Sequence, residues 1–354
     1  MVKQQRKRVT LRSCGSGFPK YLEMRIFQSN GTLVSMRPFM IVCIAIFICG
    51  ASQAQDVHFS QFFSSPHTVN PAQTAYFEED WRVGLNYKNQ WPWGSASGNF
   101  TYRTISAYGD GSVFDRRAPV GDKIGVGANI VHDKAGDGQL SVNKARLTGA
   151  YHLSLDRFND FYLSFGAGLA FVQKQVNYDN LYFNEQWTDN GFDQDIPSGE
   201  NPDGNNLTFM DVTAGAMLSG EITNDISINT GLALYHLNRP KESFYGNDNR
   251  LGPRPIANAG ATIDLTDRIT ISPGIMYSNQ KRAQEAVFGS LASFKLPFRS
   301  RAEQKLFAGA YYRWDDAAIP LVGYQYSSLR VLVNYDINVS SRLSIRALYP
   351  VKIV

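Results

Sequence analysis

The side chains that could do chemistry are few, and they do not gather. Five histidines, His58, His67, His132, His152 and His236, are scattered with no zinc-ligand spacing. Cys14, Cys43 and Cys49 all lie ahead of residue 50, within what reads as a removable leader, so the working chain has no thiol for a disulfide, a thiolate metal site or cysteine catalysis. No G-x-S-x-G elbow is present, and no nucleophile is grouped with a base. The pairs "GVG" at 125–127 and "GAG" at 166–168 lack the following helix that a phosphate-binding loop requires. They read instead as glycines inside strands, making room for neighbouring side chains. One acidic loop, Asn184 to Leu207, carries Glu185, Asp189, Asp193, Asp195, Glu200 and Asp203 without a single Lys or Arg. Asp189, Asp193 and Asp195 could offer hard oxygen ligands to Ca²⁺, but their spacing is not that of an EF-hand, and a solvated outer loop explains them as well. The expectation is a chain that is not an enzyme and holds no cofactor and no metal.

The leader supports that class. "FMIVCIAIFICGA", Phe39 to Ala51, follows Arg37 and runs into Ser52 and Ala54 at the small positions of a cleavage site. Residues 36–54 thus read as a signal peptide cut before Gln55, and 1–35 as an over-extended start. The leader holds eight Lys/Arg and one acidic residue, which leaves 27 basic and 30 acidic residues from Gln55 onward. The basic character of the whole chain therefore belongs to the leader and is no argument for nucleic acid.

From Trp81 the dominant signal is period two. "FYLSFGAGLAF" sets Phe161, Leu163, Phe165, Ala167, Leu169 and Phe171 on one face and Tyr162, Ser164, Gly166, Gly168 and Ala170 on the other. "KARLTGAYHL" alternates Lys144, Arg146, Thr148 and His152 against Ala145, Leu147, Tyr151 and Leu153. The runs are commonly 10–14 residues long, against about 5–6 in soluble sheets. Tyr and Trp cluster near their ends: Trp81, Trp91, Trp93, Tyr151, Tyr235, Tyr277, Tyr311, Tyr312, Trp314, Tyr324 and Tyr326. Long strands, apolar outside and small or polar inside, with aromatic ends, predict an all-β transmembrane outer-membrane β-barrel over 81–354. A secreted soluble sandwich or propeller is the alternative, and no blade-length repeat is visible.

About fourteen antiparallel strands are expected, near 82–90, 98–108, 122–132, 141–154, 160–175, 208–222, 225–237, 255–265, 267–278, 284–296, 304–314, 317–326, 329–338 and 342–349. Long connections fall at 109–121, 176–207 and 238–254, and they are expected on the rim opposite the tight turns. Lys144 and Arg146 are expected to face the lumen, because a cation facing lipid at mid-membrane costs about 2–4 kcal/mol. A conducting pore and a filled lumen are both open at this point.

Ahead of the strands stands "HFSQFFSSPHTVNPAQTA", His58 to Ala75, aromatic-rich and broken by Pro66 and Pro71. Together with Gln55, Asp56 and "WRVGLNYKNQWP", it resembles the N-terminus of the PorP/SprF family of Bacteroidota outer-membrane proteins. The resemblance rests on Phe59, Ser60, Gln61, Pro66, Asn70, Pro71, Ala72, Arg82, Tyr87, Asn89, Gln90 and Trp91. It extends through "FMDVTAGAML", "ALYHLNRPKESF" and "LRVLVNYDINVSSRL" to about residue 343. It implies a fourteen-stranded type of barrel in the outer membrane of a Gram-negative bacterium, associated with type IX secretion and gliding motility. The implied partners are periplasmic ring or lipoprotein components of that system, or a large exported adhesin, besides membrane lipid. Residues 55–80 become an N-terminal plug or periplasmic docking segment, which the prolines keep out of the wall. Phe59, Gln61, Phe62, Pro66, Asn70, Pro71, Arg82, Tyr87, Gln90 and Trp91 are the candidate docking residues. The alternative function is a channel for small or hydrophobic solutes. Three departures stand out: Ala75 replaces the usual Gly after the NPA motif, residues 1–35 have no counterpart, and "RLSIRALYPVKIV" lacks an alternating last strand with an aromatic end.

Overall fold

The alternation along Phe161–Phe171 is that of a two-faced sheet: Ser164, Gly166, Gly168 and Ala170 are buried, while Phe165, Leu169 and Phe171 are exposed. A computed structural model describes residues 56–339 apart from 57, 78, 91–101, 114–120, 137, 179–180, 190, 194, 201, 203 and 298–301. The expected over-extended start 1–35, the expected signal peptide 36–54, Trp91, Trp93 and the last expected strand at 342–349 lie outside the described residues.

The strands are β1 (Trp81–Gln90), β2 (Tyr102–Val113), β3 (Lys123–Ala135), β4 (Leu140–Ser154) and β5 (Phe161–Gln175), followed by a small hairpin, β6 (Trp187–Thr188) and β7 (Gly191–Phe192). Then come β8 (Asn206–Thr223), β9 (Ile226–Tyr235), β10 (Arg254–Thr266), β11 (Ile269–Gln280), β12 (Ala283–Lys295), β13 (Gln304–Arg313), β14 (Ala317–Tyr326), β15 (Leu329–Asn334) and β16 (Ile337–Asn338). Each long strand pairs antiparallel with its neighbour in the chain, β5 with β8 across the hairpin loop, and both β15 and β16 pair with β14. Among the described residues this makes one 14-stranded sheet. No described helix is long and apolar enough to cross a membrane.

Outward positions carry the large apolar side chains, with Leu85, Leu147 and Leu232 each about two-thirds exposed or more. Inward positions carry Asn86, Lys88, Arg146, Thr148, Asp211 and Arg254, all buried. Such a sheet belongs in lipid, where a strand ladder satisfies its own backbone. Lys144 and Arg146 do face inward.

Three expectations are corrected. The stretch "YGDGSV" continues β2 to Val113 instead of opening a long connection at 109, because it pairs with both β1 and β3. The end of β2 at Val113 and the start of β3 at Lys123 then lie on the rim of the turns 155–160, 224–225 and 267–268, whereas the two longest described loops, 176–205 and 236–253, share the opposite, long-loop rim with the short turns 281–282 and 314–316. Tyr235 and Tyr311 are not girdle residues: they are 1% and 5% exposed and point inward, on the parity of Ala233 and Phe307. Finally, the inner wall is not uniformly small and polar. Val287, Leu291, Phe307, Ile319 and Leu321 form an apolar half with Phe62 and Val69 of the N-terminal segment.

That segment is what the sheet curls around. It touches β1, where Asn86 Nδ2 donates to Ser65 Oγ at 2.9 Å, and it touches β15, where Gln61 Nε2 donates to Asn334 Oδ1 at 2.7 Å. The first and the last long strands of the sheet thus meet the same short stretch of chain.

Candidate functional site: a lumen filled by the N-terminal segment

The segment from Asp56 to Phe77 contains three short helical turns, Phe62–Ser64, Pro66–Val69 and Pro71–Gln73. Each proline opens a turn, where its missing N–H is no loss and its fixed φ is already suitable. Asn70 caps the third turn, its Oδ1 accepting from the Ala72 N–H at 2.9 Å. Neither proline could have entered the sheet interior without breaking a ladder. Ala75 sits at φ 61°, in the left-handed region that favours glycine. The residue that departs from the family pattern is therefore held in a glycine-type conformation.

Three sets of wall residues hold the segment. At the long-loop rim the Asp56 carboxylate lies 3.1 Å from Lys144 Nζ, 3.3 Å from His236 Nε2 and 3.8 Å from Arg254 Nη1. His236, just past the end of β9, is bracketed on its other side by Asp211 at 2.8 Å. Asp211 also pairs with Arg146, whose Nη1 donates to the His67 carbonyl at 2.9 Å. Burial alone would raise the Asp56 carboxyl, but Lys144, with His236 and Arg254, holds it well below the usual carboxylate range. Burial likewise works against a charged His236, yet the hydrogen bonds to Asp211 and Asp56 raise its pKa above the ordinary histidine value. Nearby on the same rim, Ser60 Oγ donates to Asp336 Oδ2 at 2.7 Å, and Arg313 Nη2 reaches the same oxygen at 2.6 Å.

In the middle of the lumen, Phe62 meets the Tyr311 ring edge-on at 5.8 Å and Phe63 stacks on it at 5.2 Å. Opposite, the wall supplies glycines. A Cβ at Gly166 would overlap the backbone of Pro71 and Ala72, and one at Gly215 would overlap Asn70 Oδ1. The freed space lets Asn70 Nδ2 donate to the Ala216 carbonyl at 3.1 Å.

At the short-turn rim Thr74 Oγ1 donates to Thr148 Oγ1 at 2.9 Å, and its carbonyl meets His152 Nε2 at 2.8 Å. The Ala75 N–H donates to Asp110 Oδ2 at 2.7 Å. Arg82 grips the same carboxylate with Nε at 3.0 Å and Nη2 at 2.7 Å, while its guanidinium lies over Phe77 at 4.6 Å. The segment thus traverses the lumen from one rim to the other.

Most of the residues singled out from the sequence come together here, facing the wall. Phe59, Gln61, Phe62, Pro66, Asn70 and Pro71 are buried, and Arg82 is committed to Asp110. Tyr87 points outward from β1, Gln90 is half-buried at its end, and Trp91 lies outside the described residues. Asp189, Asp193 and Asp195 do not converge. Asp193 Oδ1 instead accepts from the Asp195 N–H at 3.0 Å, and among the described residues no group of three His, Cys, Asp or Glu is placed to hold a metal ion. Sequence reasoning missed Asp110, Arg254, Arg313 and Asp336 as binding partners of the segment, and Asp211 as the carboxylate that holds His236 and Arg146 against it. For the four on named strands, strand parity would have placed them on the inner face.

Buried polar side chains on a curled antiparallel sheet, wrapped about the chain's own N-terminal segment, define an integral membrane β-protein with an occupied interior. The chain belongs to the family of type IX secretion system membrane proteins PorP/SprF, whose model matches residues 51–347. Membership makes it an outer-membrane protein of type IX secretion. No curated protein matches it. Among solved structures it is similar to BamA from Haemophilus ducreyi lacking POTRA domains 1–3, at 12% identity and a TM-score of 0.36, over 78% of this chain and 70% of that one. It is also similar to a mutant of the ferric enterobactin receptor PfeA from Pseudomonas aeruginosa, at 9% identity and a TM-score of 0.32, over 76% of this chain and 47% of that one. A mutant of the Rh. blastica porin follows at 10% identity and a TM-score of 0.20, over 72% of this chain and 98% of that one. The chain thus spans less than half of the receptor. Similarities this low carry no argument, and the assignment rests on the family match and on the sheet itself.

Proposed function

We propose that the protein is a non-conducting scaffold of type IX secretion and gliding motility, which binds a periplasmic ring or lipoprotein component, or a large exported adhesin, and does no chemistry of its own. The observation that carries this reading is the traverse of the lumen by residues 56–77, which occupies the space a solute channel would need. His67, His152 and His236, the buried histidines, are each engaged with a carbonyl, hydroxyl or carboxylate of the wall or the segment. Their roles are structural in this reading. The channel alternative would require the segment to leave.

Purification of a tagged copy from its own outer membrane in mild detergent tests the proposal. With the tag in the 185–206 loop, an exported adhesin or a ring component should co-purify and be identified by mass spectrometry. Recovery of the folded protein alone, together with steady conductance in planar bilayers, would replace this reading with that of a channel.

A further inference from the structure

We infer that the processed amino-terminal end of this protein emerges on the same side of the membrane as the loops 176–205 and 236–253, which is the cell exterior. The direction of the segment carries this. Every residue that grips its start lies at the long-loop rim. Arg254 is the first residue of β10, and Gln280, whose Oε1 accepts from the Asp56 N–H at 3.3 Å, is the last of β11. Arg313 is the last of β13, His236 is the first residue past β9, and Asp336 is two residues past β15. The residues that grip its end lie towards the other rim: Arg82 is the second residue of β1, Asp110 is close to the end of β2, and Thr148 and His152 are in the second half of β4. A segment that starts at one rim and enters β1 at the other has crossed the wall's full height inside it. In outer-membrane barrels the short turns face the periplasm and the long loops face outward, so residue 56 lies at the outer face.

Two consequences follow. A leader still attached ahead of Gln55 would have to stand outside the outer membrane, so its removal precedes the seating of Asp56 between Lys144, His236 and Arg254. The sheet must also close around the segment, or admit it, with the free end leading outward. The inference rests on removal of the leader near Gln55, which N-terminal sequencing of the purified protein checks separately.

The test uses three copies of the full chain, each with one epitope: between Ala54 and Gln55, in the 185–206 loop, or in the 155–160 turn. Each also carries Thr74→Cys and Thr148→Cys. These two hydroxyls are 2.9 Å apart, and the chain from Gln55 onward has no other thiol, so a disulfide shift on a non-reducing gel reports a seated segment. Antibody binding to intact cells is compared with binding after the outer membrane is permeabilised. The expected result is a disulfide in all three copies, with the leading and loop epitopes bound on intact cells and the turn epitope bound only after permeabilisation. A disulfide with the leading epitope hidden until permeabilisation would overturn the inference. So would absence of the disulfide in folded protein, since the segment would then not be seated, and so would a loop epitope hidden along with the leading one.

Discussion

Ser60 and Asp336 lie 276 residues apart in the chain and share a hydrogen bond of 2.7 Å inside the lumen. Asp336 is fully buried and pairs with Arg313 at 2.6 Å. Arg313→Met should therefore destabilise the folded protein by about 3–5 kcal/mol, the cost of breaking a buried ion pair by removing one partner. Denaturant unfolding in lipid vesicles measures it. A loss below about 1 kcal/mol would mean that the pair is effectively solvated.

The glycine seats make a sharper test of the fit. Gly215→Ala puts a methyl group onto the Asn70 carboxamide and should cost about 1–3 kcal/mol, the range for overpacking. Gly149→Ala, whose added carbon meets nothing nearer than 3.8 Å, is the matched control and should stay within about 0.5 kcal/mol. Equal effects in the two variants would show that the segment does not rest on β8.

How much of this was legible beforehand follows from what alternation can and cannot say. The period-two pattern placed β3, β4 and β5 within a residue or two at most ends, and it put Arg146 and His152 inside. It misread "YGDGSV", because glycine and aspartate next to each other look like a turn. Once β2 is carried on to Val113, Asp110 falls on the buried parity of Thr104 and Ser106, where Arg82 pairs with it. Tyr235 and Tyr311 were assigned by their nearness to strand ends, when parity decides which way a ring points. The segment was recognisable by its prolines and its motif. Its partners were not, because they come from nearly every strand and are brought together only by the curl of the sheet.

The histidine at the long-loop rim gives a pH dependence with a definite sign. His236 has a raised pKa in the fold, so its pairing with Asp56 and Asp211 contributes fully below the ordinary histidine value of about 6.5 and is lost as pH rises through the raised value. Asp56 has a depressed pKa, so its contribution is present above the ordinary carboxylate value and lost as pH falls through the depressed one. Heat-modifiability on gels should show the melting temperature falling on the alkaline side, and His236→Gln should flatten that limb. An unchanged alkaline limb in the variant would detach His236 from stability.

Removing the segment should open the interior. A chain lacking residues 56–77 is expected to give steady currents in planar bilayers where the full chain is silent. Asp56→Asn combined with Phe62→Ala, which keeps the chain length, should give intermittent openings. Silence from both variants, with correct insertion confirmed by protease protection, would mean that the wall closes without its occupant.

The contact between Ser60 and Asp336 also sets an order of events in biogenesis. The segment is made before every strand of the sheet, yet its binding site is complete only when β15 has been made and placed. Contacts this far apart in sequence form late, because chain entropy must be lost before they reward it. An aromatic, proline-broken stretch thus waits exposed in the periplasm for almost the whole of synthesis. Phe59, Phe62 and Phe63 stay unburied during that interval, and slow growth of the last strands would lengthen the exposure to aggregation.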